Sequence, residues 1–304
     1  MNSSSERNDI EAGEGNCELY ENLDEGSSAT EWCQEAQATA SSAKDYTSST
    51  LKEVFTIAET GVRFTDVVCL ETGTLLAVDD VKNFIWAYDS NGARLRKTKL
   101  SSPPWALTVV DTTQVGVTLC QNSLQFLTFN EKSKRFRKDK TILLDEMPRA
   151  VIYADNCLYV TFEEKVKKLT FDGIIVTELA VLEASQLLFG ISYSNGNVIV
   201  ADSGFEAPHS VHEITMDTNP LVKQQKKYSV LTYPLGITAD PEGNIYVGGY
   251  GSNNVIQVSK NGDVLKEILS SSSGYNSPMG INFSSDGLKF FLTHENKITV
   301  FEFQ

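Results

Sequence analysis

Chemistry needs polar side chains that converge, and this sequence offers few of them. Its three histidines are His209, His212 and His294. His209-x-x-His212 has a metal-ligand spacing, but it follows Pro208 and has no cysteine nearby, so an ordinary exposed loop pair is expected. Asp66, Asp79, Asp80, Asn195, Asp202 and Asp240 could supply oxygens to a hard divalent cation if they met. No Gly-x-Ser-x-Gly elbow occurs, and no cysteine has a histidine placed to activate it. Cys69, Cys120 and Cys157 lie in apolar runs such as Cys157-Leu158-Tyr159-Val160 and read as small buried side chains.

One basic run stands out. Lys132, Lys134, Arg135, Arg137, Lys138 and Lys140 place six cations in nine residues. A nucleic-acid surface or import signal is one reading. Cations guarding an outer sheet edge are the other, because like charge on an edge strand discourages pairing with a second chain. Lys223, Lys226 and Lys227 form a second such group, which favours the edge reading.

The elements that must hold these residues follow from composition and repetition. The chain has 304 residues and a net charge of −14, which argues against nucleic acid or anionic lipid as the main partner. No run approaches the ~18 apolar residues of a membrane span, and the start lacks a signal-peptide core. Five cysteines, an odd number without a C-x-x-C pair, suit reduced thiols in a cytoplasmic, soluble protein. Charge is uneven: residues 1–51 hold 11 of the 40 acids and 2 of the 26 bases. That segment is also rich in Ser and Thr and cannot offset its ordering entropy, so 1–51 is expected to be a disordered acidic tail and 52–304 one folded unit.

Within 52–304 one phrase recurs. It is clearest as Pro234-Leu235-Gly236-Ile237, then Pro241-Glu242-Gly243-Asn244-Ile245-Tyr246-Val247. Equivalent starts fall at 64, 104, 148, 188, 234 and 278, a period of 40 to 46 residues, which is that of a propeller. Each unit carries Gly turns between short β-rich runs, as at Asn195-Gly196 and Asn261-Gly262, giving four antiparallel strands. The last unit lacks its fourth strand. Lys52 to Ile57 is expected to supply it, closing an all-β, six-bladed propeller.

The phrase resembles the NHL repeat, and the chain is similar to the propellers that end many tripartite-motif proteins. The resemblance is best over residues 188–304, although Gly248-Gly249 stands where many such repeats carry Ala-Asp. It implies a non-enzymatic interaction module or scaffold, in a ubiquitin or signalling adaptor setting. No RING, B-box or coiled-coil pattern accompanies it here, so ligase activity within this chain is not implied. Related propellers include zinc-dependent amidating lyases and metal-dependent lactonases, so a propeller hydrolase is the alternative, with RNA binding third. Asn195 and Asp240 should lie on the face opposite Asp79, Asp80 and Asp202, which speaks against a shared metal. No cofactor is expected.

The repeat register points to a site. The residue after each unit's first position should open the innermost strand, so Thr65, Trp105, Arg149, Phe189, Leu235 and Met279 should ring one mouth of the central channel. Large apolar residues with one Arg make a recognition patch, for which an extended partner segment bearing an acidic group is expected, on a monomer. The plainer alternative is that these side chains only pack between blades. In the tail, Tyr20-Glu21-Asn22-Leu23 is a candidate phosphorylation site readable by a Src-homology-2 domain.

Overall fold

A computed structural model describes residues 44–181, 187–204 and 209–304. The expected tail, with Tyr20, lies outside the described residues up to position 43. Six four-stranded antiparallel sheets are arranged as blades of one β-propeller. Here the strands of each blade are lettered A to D from the axis outward. Among the described residues no helix is long and apolar enough to cross a membrane.

Burial explains the sequence pattern of each strand. Middle strands are sandwiched between neighbouring blades, so both faces are covered and near-continuous apolar runs result. Leu75–Asp79 and Asn254–Val258 are buried at every position. Outer strands have one exposed face and alternate accordingly, as in Arg94–Lys99. The basic run forms the C–D turn and outer strand Arg135–Leu143 of blade 2, where Lys134, Arg137 and Lys140 pair with Glu131, Asp139 and Asp172. Lys223, Lys226 and Lys227 lie on the outer strand Leu221–Lys227 of blade 4. The turns are as the Gly pattern predicts: Gly243 has φ 87°, while Asp240 Oδ1 accepts the N–H groups of Glu242 and Asn244.

The two chain ends latch the ring. Leu51–Ala58 pairs antiparallel with Lys297–Phe303, Leu51 opposite Phe303 and Ala58 opposite Lys297. The compact unit begins at Asp45, earlier than the expected boundary at 52, because Tyr46 is a core residue. Its ring stands 5.2 Å from that of Phe303, and its hydroxyl donates to the Gly287 carbonyl at 3.0 Å. Lys266 Nζ donates to the carbonyls of Tyr46, Thr47 and Ser49, tying this segment to blade 5.

At the axis the inner strands crowd backbone against backbone. A Cβ on Gly190 would sit 2.2 Å from the Leu235 carbonyl oxygen, and one on Gly236 would sit 2.3 Å from that of Met279. Near the start of five inner strands the ladder slips, at Phe64/Asp66, Pro104/Leu107, Leu188/Gly190, Pro234/Gly236 and Pro278/Ile281. Such bulges re-aim a side chain that regular pleating would bury between strands.

Candidate functional site

Five of the six expected ring residues come together at one place, four of them from bulged strands and Arg149 from just before its strand. Trp105, Arg149, Phe189, Leu235 and Met279 line a single funnel-shaped cavity of about 460 Å³. Thr65 is buried and lines instead a smaller axial cavity of about 70 Å³ together with Asp66, Gly190, Gly236 and Gly280. Trp105, Phe189, Leu235 and Met279 line both cavities, so the funnel leads into the axis.

The funnel wall is aromatic on one side. The rings of Trp105 and Phe189 lie 5.3 Å apart, and the Arg149 guanidinium carbon sits 5.2 Å from the Phe189 centroid. Arg149 precedes its strand, and its backbone is fixed twice: its N–H donates to the Thr161 carbonyl at 2.8 Å, and its carbonyl accepts from Thr118 Oγ1 at 2.9 Å. Its side chain is only 17% exposed, and its one carboxylate neighbour among the described residues, Glu163, is 3.7 Å away and 68% exposed. The buried Nε has no hydrogen-bond partner among the described residues. Among the described residues this guanidinium is largely buried without a close partner.

Five further residues complete the wall: Arg63, Leu187, Ser203, Tyr233 and Tyr250. Sequence reasoning missed the first four, whereas the B–C loop of blade 5 was expected to bring Tyr250 to this face. A signal existed for three, since Arg63, Leu187 and Tyr233 each immediately precede a repeat start. Arg63 is matched by Asp80, to which both its Nε and Nη2 donate. Tyr233 has a left-handed backbone, φ 50°, uncommon for a bulky side chain. The N–H of Tyr250 donates to its carbonyl at 2.9 Å, and its ring packs on His209 at 4.7 Å.

The histidines correct the sequence expectation. His209 and His212 are not an exposed pair; both are buried. His212 lies in the strand Ser210–Thr215, its Nε2 3.0 Å from Ser210 Oγ and 3.5 Å from Asp202 Oδ2. Burial holds the pKa of His209 and of His294 below the usual value, favouring neutral imidazoles. Cys69, Cys120 and Cys157 are half-buried rather than fully covered, and burial pushes the Cys69 thiol up to about 11, away from nucleophilic use.

The candidate carboxylates serve their own turns. Asp79 Oδ1 accepts from the N–H groups of Val81 and Lys82 in the B–C turn of blade 1, and Asp240 Oδ2 accepts from Asn244 and Tyr246. Among the described residues no group of three or more His, Cys, Asp or Glu side chains is placed to hold a metal ion. Asp66 is different. It stands where the other blades have Ala106, Ala150, Gly190, Gly236 and Gly280, and its oxygens accept the N–H of Val67 and, across the blade seam, that of Leu107, both at 2.8 Å. Burial raises its carboxyl to about 7, with the two N–H donors opposing.

Fold and mouth together define a six-bladed β-propeller with an apolar, Arg-bearing funnel at one end of its axis. A description of a β-propeller repeat matches residues 228–257. No curated protein matches the sequence. Among solved structures the chain is similar to a catalytically inactive virginiamycin B lyase from Staphylococcus aureus with quinupristin, at 15% identity and a TM-score of 0.61, covering 84% of this chain and 99% of that one. It is similar to a gluconolactonase from Xanthomonas campestris at 11% and 0.64, covering 84% and 90%. It is also similar to the WD40 propeller domain of Doa1 at 11% and 0.61, covering 83% and 97%. At these identities the likeness shows the fold alone, and propellers host many activities.

Proposed function

We propose that this protein is a binding module whose propeller mouth takes an extended segment of a partner protein, an acidic group of that segment meeting Arg149. The observation that carries this reading is a largely buried guanidinium, stacked on Phe189 and poorly paired, in the wall of an open funnel. A desolvated charge without a full partner is costly on its own and is repaid when a ligand supplies the counter-charge. Trp105, Phe189, Leu235 and Met279 supply apolar contact around it, the composition of an interaction hot spot.

The NHL-like phrase of blades 4 to 6 supports an adaptor role in signalling or ubiquitin pathways. A metal-dependent hydrolase would need ligands that converge, whereas Asp79 and Asp240 are engaged in their own turns, Asp80 by Arg63, and Asp66 by backbone N–H groups of two blades. The RNA reading rests on the blade 2 cations, three of which are matched by neighbouring acids. The propeller is read as acting as a monomer in the cytoplasm.

The test is affinity capture on the folded protein and on Arg149→Glu and Trp105→Ala variants that melt normally. Partners retained by the native mouth and lost by both variants support the reading. An unchanged set of retained proteins would remove the mouth as the site.

A further inference from the structure

The shape of the mouth narrows what can enter it. Below the 460 Å³ funnel the axis shrinks to about 70 Å³, and on the side of blades 4 to 6 the inner strands touch without room for a methyl group. A chain cannot thread through. It must cross the mouth or end in it.

The spacing of the two recognition elements separates these cases. The guanidinium carbon lies over the ring that forms the apolar wall, 5.2 Å from its centroid. In an extended segment adjacent side chains point to opposite sides, so an acidic and an apolar side chain on one side lie two residues, roughly 7 Å, apart along the strand. At a chain terminus the carboxylate and the side chain leave the same carbon atom. A planar guanidinium beside an apolar wall matches that pairing, because a carboxylate can take two parallel N–H donors while its own side chain lies against the ring.

We infer that the group seated in the funnel is the C-terminal residue of a partner chain, its free α-carboxylate on Arg149 and a large apolar side chain against Trp105 and Phe189. This rests on the mouth being the binding face and names what it selects. Arg63 is excluded as the carboxylate receptor because Asp80 already occupies it. Tyr233 and Tyr250, which line the funnel but not the axial cavity, are positioned for the residues that precede the terminus. That upstream contact is what a partner protein offers and a small organic acid does not.

The test uses dye-labelled hexapeptide pools, randomised upstream, titrated onto the full chain by fluorescence anisotropy. One pool ends in Leu, Phe or Met with a free carboxylate. A second is the same with a C-terminal amide. A third is amide-capped with an internal Glu two residues from a Leu, the same-side spacing of an extended segment. The free-acid pool is expected to bind at least about tenfold tighter than its amide, the range of a lost charge-assisted hydrogen bond. Arg149→Gln, checked for a normal melt, is expected to erase the difference. N-acetyl-phenylalanine should compete only weakly. Equal binding of acid and amide overturns the inference, as does N-acetyl-phenylalanine matching the free-acid peptides. If the third pool binds best and Arg149→Gln weakens it, the terminus inference falls and the mouth reading stands. If no pool responds to Arg149→Gln or Trp105→Ala, both fall.

Discussion

The guanidinium of Arg149 lies over Phe189 with 5.2 Å between its carbon and the ring centroid, while the nearest carboxylate among the described residues, on Glu163, stays 3.7 Å away and is largely exposed. A charge held this way does not stabilise the fold, since its burial is costly and its partner is distant and largely hydrated. Its value must lie in what it meets. Arg149→Met keeps the stem that covers Phe189 and removes the charge. Its unfolding free energy is expected to stay within about 1 kcal/mol of the native protein in urea melts, while partner binding falls at least about tenfold. A large stability loss would make Arg149 a structural residue instead.

The ring is latched by more than paired strands. Tyr46 packs on Phe303 and Phe283 and donates to the Gly287 carbonyl. Removing the ring leaves a hole at the closing blade, so Tyr46→Ala is expected to cost about 3–5 kcal/mol. Tyr46→Phe loses only the hydrogen bond, about 1 kcal/mol. A chain beginning at residue 52 should be at least as unstable as Tyr46→Ala. Equal urea midpoints for chains starting at 45 and at 52 would refute the latch.

What the sequence showed and hid follows from distance. Blade count, strand order and the closing strand were legible because Pro-x-Gly and Asn-Gly phrases repeat locally and bind each hairpin to its neighbour. Five of the six mouth residues were legible for the same reason, since one register places them all. Tyr46 was not, because a lone aromatic among Ser and Thr carries no periodic signal and its partners lie more than 200 residues on. His209 and His212 were misjudged because their burial depends on Asp202 and Tyr233, which only the folded blades bring close. Arg63 and Tyr233 were hidden one residue outside the repeat.

Gly236 tests the crowding at the axis. A Cβ there would meet the Met279 carbonyl oxygen at 2.3 Å, and a backbone group cannot rotate away as a side chain can. Gly236→Ala is therefore expected to destabilise by about 1–3 kcal/mol or more and to displace Met279 from the funnel floor. Ala106→Gly, at the equivalent place in blade 2, should cost about 0.5–1 kcal/mol. Thermal melts of the two variants rank these effects, and a Gly236→Ala melt matching the native one would show that the inner strands part easily.

Asp66 gives a pH dependence with a defined sign. Burial lifts its carboxyl from 3.8 to about 7, so between those values the folded protein holds a proton that the unfolded chain releases. Folding is favoured by acid through this group: its contribution is complete below about 3.8 and disappears as pH rises through 7. Asp111, Asp139 and Asp286 are shifted the other way by their hydrogen bonds, so neither protein's own profile isolates Asp66. The difference between native and Asp66→Asn does, because those groups cancel. The native protein's advantage over the variant, measured by urea midpoints, is expected to shrink steadily from pH 4 to pH 7 and then level off. A difference that stays constant over that range would mean the carboxyl is ionised in the fold, and that its bonds to Val67 and Leu107 outweigh its burial.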